Sequence, residues 1–247
     1  MKLKDKVALV TGSARGIGAA IAERLAADGA AVVINYASAA AAAERVAGRI
    51  RDAGGAAIVM QADVGDWSQA QALVAKAGEA FGRLDILVNN AADIRFQPLE
   101  AIGIAELREQ VAVNLEGPIA TMQAALALFP EEGGRIINIS SLAVANPIAG
   151  HSIYNASKSA LEAATQVAAV ELGPRGITVN AVRPGLTETD AVKANLDDEG
   201  KAFLVGRTPL RRVGMPSDIA DVVAFLASPD ARWITGQILP ATGGLTP

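Results

Sequence analysis

The feature that most constrains this fold is an alternation of short apolar runs with longer stretches of helical pattern. The runs are rich in Val, Ile and Leu, and the stretches between them carry apolar residues at a spacing of three or four. Such alternation is typical of βα units around a parallel sheet that is buried on both faces. The runs predicted as strands are residues 7–10, 31–34, 57–60, 86–88, 136–139, 178–182 and 237–239. We therefore predict an α/β fold with a doubly wound, seven-stranded parallel sheet in a single domain, residues 1–247.

Charge and residue usage narrow the class of protein. The net charge is −4 and the sequence contains no basic block, so we expect no nucleic-acid partner. The absence of cysteine and a single histidine, His151, exclude a disulfide framework and thiolate zinc sites, and we predict no metal. We expect no signal peptide and no membrane span, because no apolar run approaches about 18 residues. These features predict a cytoplasmic protein.

A glycine-rich turn joins the first predicted strand to the first predicted helix. Gly12, Gly16 and Gly18 follow the pattern Gly-x3-Gly-x-Gly. Without a Cβ atom, the backbone can approach a pyrophosphate closely, and the helix N-terminus offers it free N–H groups. An ordinary glycine turn is the alternative, but the position at the first βα junction favours a Rossmann-type dinucleotide site.

The end of the second predicted strand indicates which dinucleotide binds. It lacks the acid that binds the ribose 2′-hydroxyl in NAD-specific proteins, and Asn35 and Ser38 could donate hydrogen bonds there. Arg15 could pair with a 2′-phosphate, although a solvated surface cation is the alternative. Asp63 could accept from an adenine amino group or cap the next helix, a role that Asp66 fits better. The sequence therefore predicts NADP(H), with NAD(H) as a second cofactor.

Tyr154 and Lys158 form the predicted catalytic pair. They are four residues apart, so on a helix they share one face. A free phenol has a pKa of about 10, and positive charge from Lys158 and an oxidised nicotinamide would lower it. Hydride transfer creates an alkoxide-like oxygen that needs a positioned acid. His151 is interpreted as a rim or loop residue, because the reaction does not require it.

With these motifs in order, the sequence resembles the short-chain dehydrogenase/reductase family from about residue 6 to residue 244. The matching motifs are residues 11–18, 89–92, 113–115 and 183–185, besides the Tyr-x3-Lys pair. The resemblance implies that Ser141 hydrogen-bonds the substrate oxygen, that Asn114 holds a water in a proton relay, and that the protein is a homotetramer. The implied cofactor contacts are Gly12, Ser13, Arg15, Gly16, Ile17, Gly18, Asn35, Ser38, Asp63, Val64, Asn90, Ala91, Tyr154, Lys158, Pro184, Gly185, Thr187 and Thr189.

Two positions depart from the family's pattern. Ala92 stands where the family usually has glycine, so crowding near the cofactor is expected unless the local turn tolerates alanine. Ala241 and Thr242 stand where many members carry an acid, which leaves the packing of the carboxyl-terminal segment open.

We predict a carbonyl reductase that interconverts a small free ketone and a secondary alcohol. The alternatives are a 3-oxoacyl-carrier-protein reductase and a non-catalytic NADP(H)-sensing regulator, which would be expected to lose Tyr154 or Lys158. Glu131 and Glu132, at the expected docking edge, would repel an acidic carrier protein, although Arg175 matches a basic position of the carrier-dependent enzymes. Residues 186–216 form the longest irregular stretch and are predicted to be a substrate lid rather than a surface excursion.

Overall fold

The computed structural model describes residues 1–190, 192 and 196–245, and it confirms the predicted fold. In that part of the chain, seven parallel strands pair in the order β3-β2-β1-β4-β5-β6-β7. Each predicted strand is present, with ends that differ by one or two residues; β6, for example, continues to Pro184. The strands are β1 (Val7–Val10), β2 (Ala31–Tyr36), β3 (Ala56–Gln61), β4 (Ile86–Asn89), β5 (Arg135–Ile139), β6 (Thr178–Pro184) and β7 (Ile238–Ala241).

Helices cover both faces of the sheet. They are α1 (Gly16–Ala27), α2 (Ala40–Asp52), α3 (Trp67–Phe81), α4 (Ile104–Val111), α5 (Gly117–Ala125), α6 (Ser152–Leu172), α7 (Asp198–Arg207) and α8 (Pro216–Ala227). Helices α1, α2 and α8 contribute to one apolar core, and α3, α5 and α6 contribute to the core on the opposite face. This arrangement explains why the strands read as continuous apolar runs, since neither face of the sheet meets water.

Helix α3 shows how local sequence sets the ends of these helices. Asp66 caps it, because a carboxylate oxygen of Asp66 accepts from the backbone N–H of Gln69 at 3.0 Å. The helix ends at Gly82, whose φ of 74° is left-handed and suits a residue without a Cβ atom. Both ends agree with the helix signals in the sequence.

The strand order creates a crevice beside β1. Its neighbours are β2 on one side and β4 on the other, so the connections after β1 and β4 leave the sheet in opposite directions. In open parallel sheets, ligands bind at such a switch point, outside the carboxyl ends of the strands. The glycine-rich turn follows β1 and residues 90–103 follow β4, so both segments border this crevice.

The connection between β6 and α8 differs from its predicted irregular form. Helix α7 lies within it and begins at Asp197, whose carboxylate accepts from the backbone N–H of Gly200 at 2.8 Å. Residues 191 and 193–195, which belong to the predicted lid, lie outside the described residues. Among the helices that the structure describes, none is long and apolar enough to cross a bilayer.

The expectation that Glu131 and Glu132 lie at a docking edge for a carrier protein, beside the active site, is wrong for a single chain. Glu131 and Glu132 lie just before β5, and Arg175 lies just before β6. Because the strands are parallel, these residues lie at the amino ends of the strands, whereas the glycine-rich turn lies at the carboxyl ends. The two carboxylates therefore do not flank the crevice of their own chain, and they carry no argument about its substrate.

Candidate active site

The glycine-rich turn is fixed to the segment that follows β4. Thr11 Oγ1 accepts hydrogen bonds from the backbone N–H groups of Asn90 and Ala91, at 3.0 and 3.1 Å. In return, Asn90 Nδ2 donates to the carbonyl oxygens of Thr11 and Gly12. The two segments are so close that a Cβ atom on Gly12 would lie 2.8 Å from Ala91 Cα, and one on Gly18 would lie 2.6 Å from Gly12 O. The turn therefore needs glycine at both positions.

Asn35 and Ser13 stabilise this turn from behind. Asn35 is buried; its Oδ1 accepts from the backbone N–H of Gly12 at 3.0 Å, and its Nδ2 donates to Ala62 O at 3.1 Å. Ser13 Oγ donates to Val10 O, and the Ser13 N–H donates to Asn35 O. These hydrogen bonds hold the turn in shape, and the predicted contact of Asn35 and Ser13 with a cofactor stays a prediction.

A cavity of about 430 Å³ opens beside the turn, on the side expected for the adenosine part of a dinucleotide. Arg15 is exposed there and makes no hydrogen bond or ion pair with the described residues. One carboxylate oxygen of Asp63 accepts from the backbone N–H of Gly65 at 2.9 Å. The predicted cofactor contacts that line this cavity are Gly12, Arg15, Asn35, Ser38, Asp63, Val64, Asn90 and Ala91.

A second cavity, of about 670 Å³, contains three of the four predicted catalytic residues. Tyr154 and Lys158 reach it from the first two turns of α6, and Ser141 reaches it from the end of β5. The predicted contacts on the nicotinamide side also line it, namely Arg15, Ile17, Gly18, Asn90, Pro184, Gly185, Thr187 and Thr189. Gly16 lies between the two cavities as the first residue of α1.

The electrostatics of the pair Tyr154 and Lys158 are dominated by burial. Lys158 is 1% exposed and donates from Nζ to Ile139 O at 2.8 Å, and burial lowers its pKa to about 8. Burial also raises the pKa of Tyr154, because it disfavours the phenolate, while a hydrogen bond with Ser141 acts in the opposite direction. The predicted lowering of the phenol pKa is therefore not a property of the chain's own groups.

Asn114 lies behind the wall of the second cavity rather than in it. It belongs to a π-helical turn, Ala112–Glu116, between α4 and α5, and its side chain is fully buried. Its amide accepts from Asp93 N at 2.9 Å and donates to Asp93 O at 2.8 Å and to Ser157 Oγ at 3.2 Å. The side chain ties the segment after β4 to α6, which fits the occurrence of π-helical turns at functional sites. Its role in a water relay stays a prediction.

A buried ion pair that the sequence analysis missed connects the elements of the site. Glu162 of α6 accepts two hydrogen bonds from Arg183, both at 2.6 Å, and a third from Ser140 Oγ at 2.6 Å. Ser140 precedes the catalytic Ser141, and Arg183 precedes Pro184. A signal existed in the sequence, because Glu162 is four residues after Lys158 and shares its helical face.

His151 lies in the loop just before α6, and it forms part of the wall of the second cavity. It is only 6% exposed, and its ring centroid is 4.1 Å from that of Phe96 and 5.4 Å from that of Tyr154. Burial lowers its pKa, so the imidazole is neutral at neutral pH.

The structure accommodates both departures from the family's pattern, at Ala92 and at Thr242, without backbone strain at either residue. Ala92 is exposed and needs no left-handed backbone, since the described non-glycine residues with positive φ are Asp5 and Arg211. Thr242 is nearly buried against Gly185, where an added Cβ atom would lie 2.8 Å from Thr242 Cα. Thr242 therefore packs the end of β7 against the turn after β6.

The fold and the site together define an oxidoreductase of the dinucleotide-binding class, and comparison with known proteins gives the family. Residues 12–246 match a family model described as enoyl-(acyl carrier protein) reductase. The chain belongs to the short-chain dehydrogenase/reductase family.

Similar curated proteins cover almost the whole chain. An uncharacterised oxidoreductase of Methylorubrum extorquens is 49% identical over 246 residues, which cover 99% of each chain. A 3-oxoacyl-[acyl-carrier-protein] reductase of Staphylococcus aureus is 42% identical, over 97% of this chain and 98% of the relative. A probable tetrahydroxynaphthalene reductase of Zymoseptoria tritici is 41% identical, over 98% and 95%.

Solved structures agree with the described fold. A short-chain dehydrogenase from Burkholderia cenocepacia in complex with NADP superposes with a TM-score of 0.94 at 44% identity, and the match covers 99% of each chain. A blue fluorescent protein from a metagenomic library, in complex with NADPH, superposes with a TM-score of 0.93 at 42% identity, again over 99% of each chain.

Proposed function

We propose that this protein is an NADP(H)-dependent carbonyl reductase, which interconverts a small free ketone and a secondary alcohol. The observation that carries the proposal is the convergence of Tyr154, Lys158 and Ser141 on one cavity that is continuous with the glycine-rich turn. A regulator that only senses the cofactor would not need a buried lysine, since burial of that cation opposes folding.

NADP(H) fits the cleft on two observations. The turn between β1 and α1 brings the N-terminus of α1 to the cleft, where its free N–H groups would bind a pyrophosphate. Arg15 is an exposed cation beside Ser38, so the two side chains would hold a 2′-phosphate, and the cleft offers no acid at the end of β2 to repel it. When bound, NADP(H) supplies or accepts the hydride.

The chain's own residues manage the proton. Tyr154 donates its phenolic proton to the substrate oxygen during reduction and takes it back during oxidation. Ser141 donates a second hydrogen bond to the same oxygen and so stabilises its developing negative charge. Lys158, with a pKa of about 8, is mostly protonated at neutral pH and stabilises the phenolate that remains after proton donation.

A turnover assay tests this proposal. Oxidation of NADPH and NADH is followed with a panel of free ketones and with a 3-oxoacyl thioester on a carrier protein. We expect free ketones to be reduced with NADPH, and Tyr154→Phe to lower kcat by about three orders of magnitude or more while the affinity for NADPH stays unchanged. A Tyr154→Phe variant with more than about a tenth of wild-type turnover contradicts the assignment.

The same assay separates the two substrate classes. The relatives named for a tetrahydroxynaphthalene and for a carrier-bound 3-oxoacyl group are 41% and 42% identical, so identity does not choose between them. If the carrier-bound thioester exceeds every free ketone in kcat/KM by about tenfold or more, the protein is a 3-oxoacyl-carrier-protein reductase.

We also propose a homotetramer, with residues 186–216 as a substrate lid. Val167 and Val170 of α6 and Phe225 of α8 are large apolar side chains that face solvent in the single chain, which supports their burial between subunits. Leu186 and Leu204 line the cavity from either end of the lid segment. Light scattering of the purified protein gives the subunit number, and a monomer at micromolar concentration contradicts the proposal.

A further inference from the structure

His151 carries two polar atoms for which the described structure provides no partner. Both of its ring nitrogens are buried, and neither makes a hydrogen bond. A neutral imidazole has one N–H donor and one acceptor, and buried groups of this kind are normally satisfied. The residue precedes the first turn of α6, yet its side chain makes no capping hydrogen bond with that helix. Its polarity therefore serves neither the helix nor the core.

The surroundings of His151 indicate what its nitrogens could meet. The imidazole ring contacts the rings of both Phe96 and Tyr154, with ring-centroid distances of 4.1 and 5.4 Å. Phe96 is 57% exposed and belongs to the connection between β4 and α4, so it can move without disturbing the core. A ligand that displaced Phe96 would meet the imidazole next to the catalytic phenol.

The remaining wall of the cavity limits the chemistry of such a ligand. Ile94, Leu142 and Ile148 present apolar surface near His151. The charged residues among the described lining are Arg15 and Lys158, which the proposed function assigns to the cofactor and to the phenolate. The cavity therefore has no cation left for a substrate carboxylate, and an uncharged substrate fits best.

We propose that His151 recognises a second oxygen on the substrate, so that the preferred substrates are uncharged ketones with a hydroxyl group close to the reacting carbonyl. A hydroxyl group both donates and accepts, which matches the donor and the acceptor of a neutral imidazole. This inference rests on the proposed carbonyl reductase function, and it names the substrate class of that site.

A matched pair of substrates tests the inference by kinetics. 2-Hydroxyacetophenone carries the second oxygen and acetophenone lacks it, and both are reduced with NADPH by the full-length protein. His151→Phe keeps a ring against Phe96 but removes both nitrogens, whereas His151→Gln keeps a donor and an acceptor. We expect His151→Phe to lower kcat/KM for the hydroxyketone by about tenfold or more, and for acetophenone by less than about threefold. His151→Gln should retain part of the preference.

A measurement without turnover keeps the two proposals separate. Because His151 is the single histidine of the sequence, protein labelled with ¹⁵N-histidine gives imidazole nitrogen signals that need no further assignment. In the NADP⁺-bound wild-type protein, 2-hydroxyacetophenone should shift these signals, and acetophenone should leave them nearly unchanged.

The outcomes are distinguishable. If no ketone is reduced, the proposed function fails, and the nitrogen signals still decide whether His151 binds a hydroxyl group. The inference is overturned if saturating hydroxyketone leaves the signals unmoved or moves them no more than acetophenone does. It is also overturned if His151→Phe folds, binds NADPH and lowers kcat/KM equally for both ketones, because the second oxygen then has no partner at this residue.

Discussion

Replacement of Lys158 by methionine should abolish catalysis and remove a pH-dependent cost in stability. Lys158 is 1% exposed, and burial lowers its pKa from 10.5 to about 8. A lysine whose pKa is lower in the folded protein binds its proton more weakly there than in the unfolded chain. Between these two values the unfolded state holds more protons, so the stability of the wild type rises with pH across that window.

The size of this effect follows from the shift. A change from 10.5 to about 8 corresponds to about 3 kcal/mol of destabilisation when the ammonium is fully protonated in both states. At about pH 6.5 nearly all of this cost is present, and at about pH 9.5 roughly 1 kcal/mol remains, so the wild type gains about 2 kcal/mol between them. Methionine does not titrate, so Lys158→Met lacks this gain.

Urea unfolding at the two pH values, at one protein concentration, measures the effect for both proteins. The lost hydrogen bond to Ile139 O lowers the variant's stability equally at both pH values, so it cancels when the two differences are compared. We expect the free energy of unfolding of the wild type, relative to the variant, to rise by about 2 kcal/mol from the lower to the higher pH. A change below about 0.5 kcal/mol would refute the claim that burial lowers the pKa of Lys158.

Three further substitutions test other parts of the site. Gly18→Ala should weaken NADPH binding by about tenfold or more in a fluorescence titration, because the new methyl group would lie 2.6 Å from Gly12 O. An unchanged affinity would contradict the proposal that the glycine-rich turn binds the cofactor. Asn35→Asp should lower the midpoint of urea unfolding without creating a preference for NADH, because a carboxylate cannot donate to Ala62 O. A stable variant that prefers NADH would show instead that Asn35 contacts the cofactor. Arg183→Leu should cost about 3 kcal/mol in unfolding experiments, because it leaves Glu162 buried without a counter-charge. The control Arg51→Leu, at an exposed pair with Glu44, should cost less than about 1 kcal/mol, and equal losses would remove the special role of the buried pair.

The fold was predictable because its signals are local. Each buried strand is a run of β-branched residues, and the acid cap at Asp66 and the glycine stop at Gly82 can be recognised without knowledge of the partner elements. Helix α7 was not predicted, because its sequence presents no buried face; none of its described residues is buried, so no apolar stripe marked it.

The relative position of the candidate catalytic residues Tyr154 and Lys158 was predictable, because spacing on one helix fixes their geometry. Tyr154 and Lys158 share a face of α6 wherever that helix lies, and the structure brings both into the cavity with Ser141. The hydrogen bonds that Asn35 and Ser13 make with the glycine-rich turn could not be predicted, because only the register of β1, β2 and β3 determines that their polar atoms point back at it. Contacts across strands depend on tertiary pairing, which the sequence does not state.

The glycine-rich turn and the wall of the second cavity differ in how many of their polar groups already have hydrogen-bond partners. The difference agrees with the proposed roles of the turn in cofactor binding and of the wall in substrate binding. On the cofactor side, Thr11, Asn35 and Asn90 use their hydrogen-bonding groups on the backbone, so the turn keeps one shape before a ligand arrives. On the substrate side, the ammonium of Lys158 makes one hydrogen bond with the described residues, and the imidazole of His151 makes none. Buried groups with unused bonding capacity oppose folding, and a protein retains them where a ligand or a reaction uses that capacity. A rigid turn would suit a cofactor that is the same in every catalytic cycle, whereas under the proposed function the unsatisfied groups would let the other wall discriminate among ketones by the oxygens they carry.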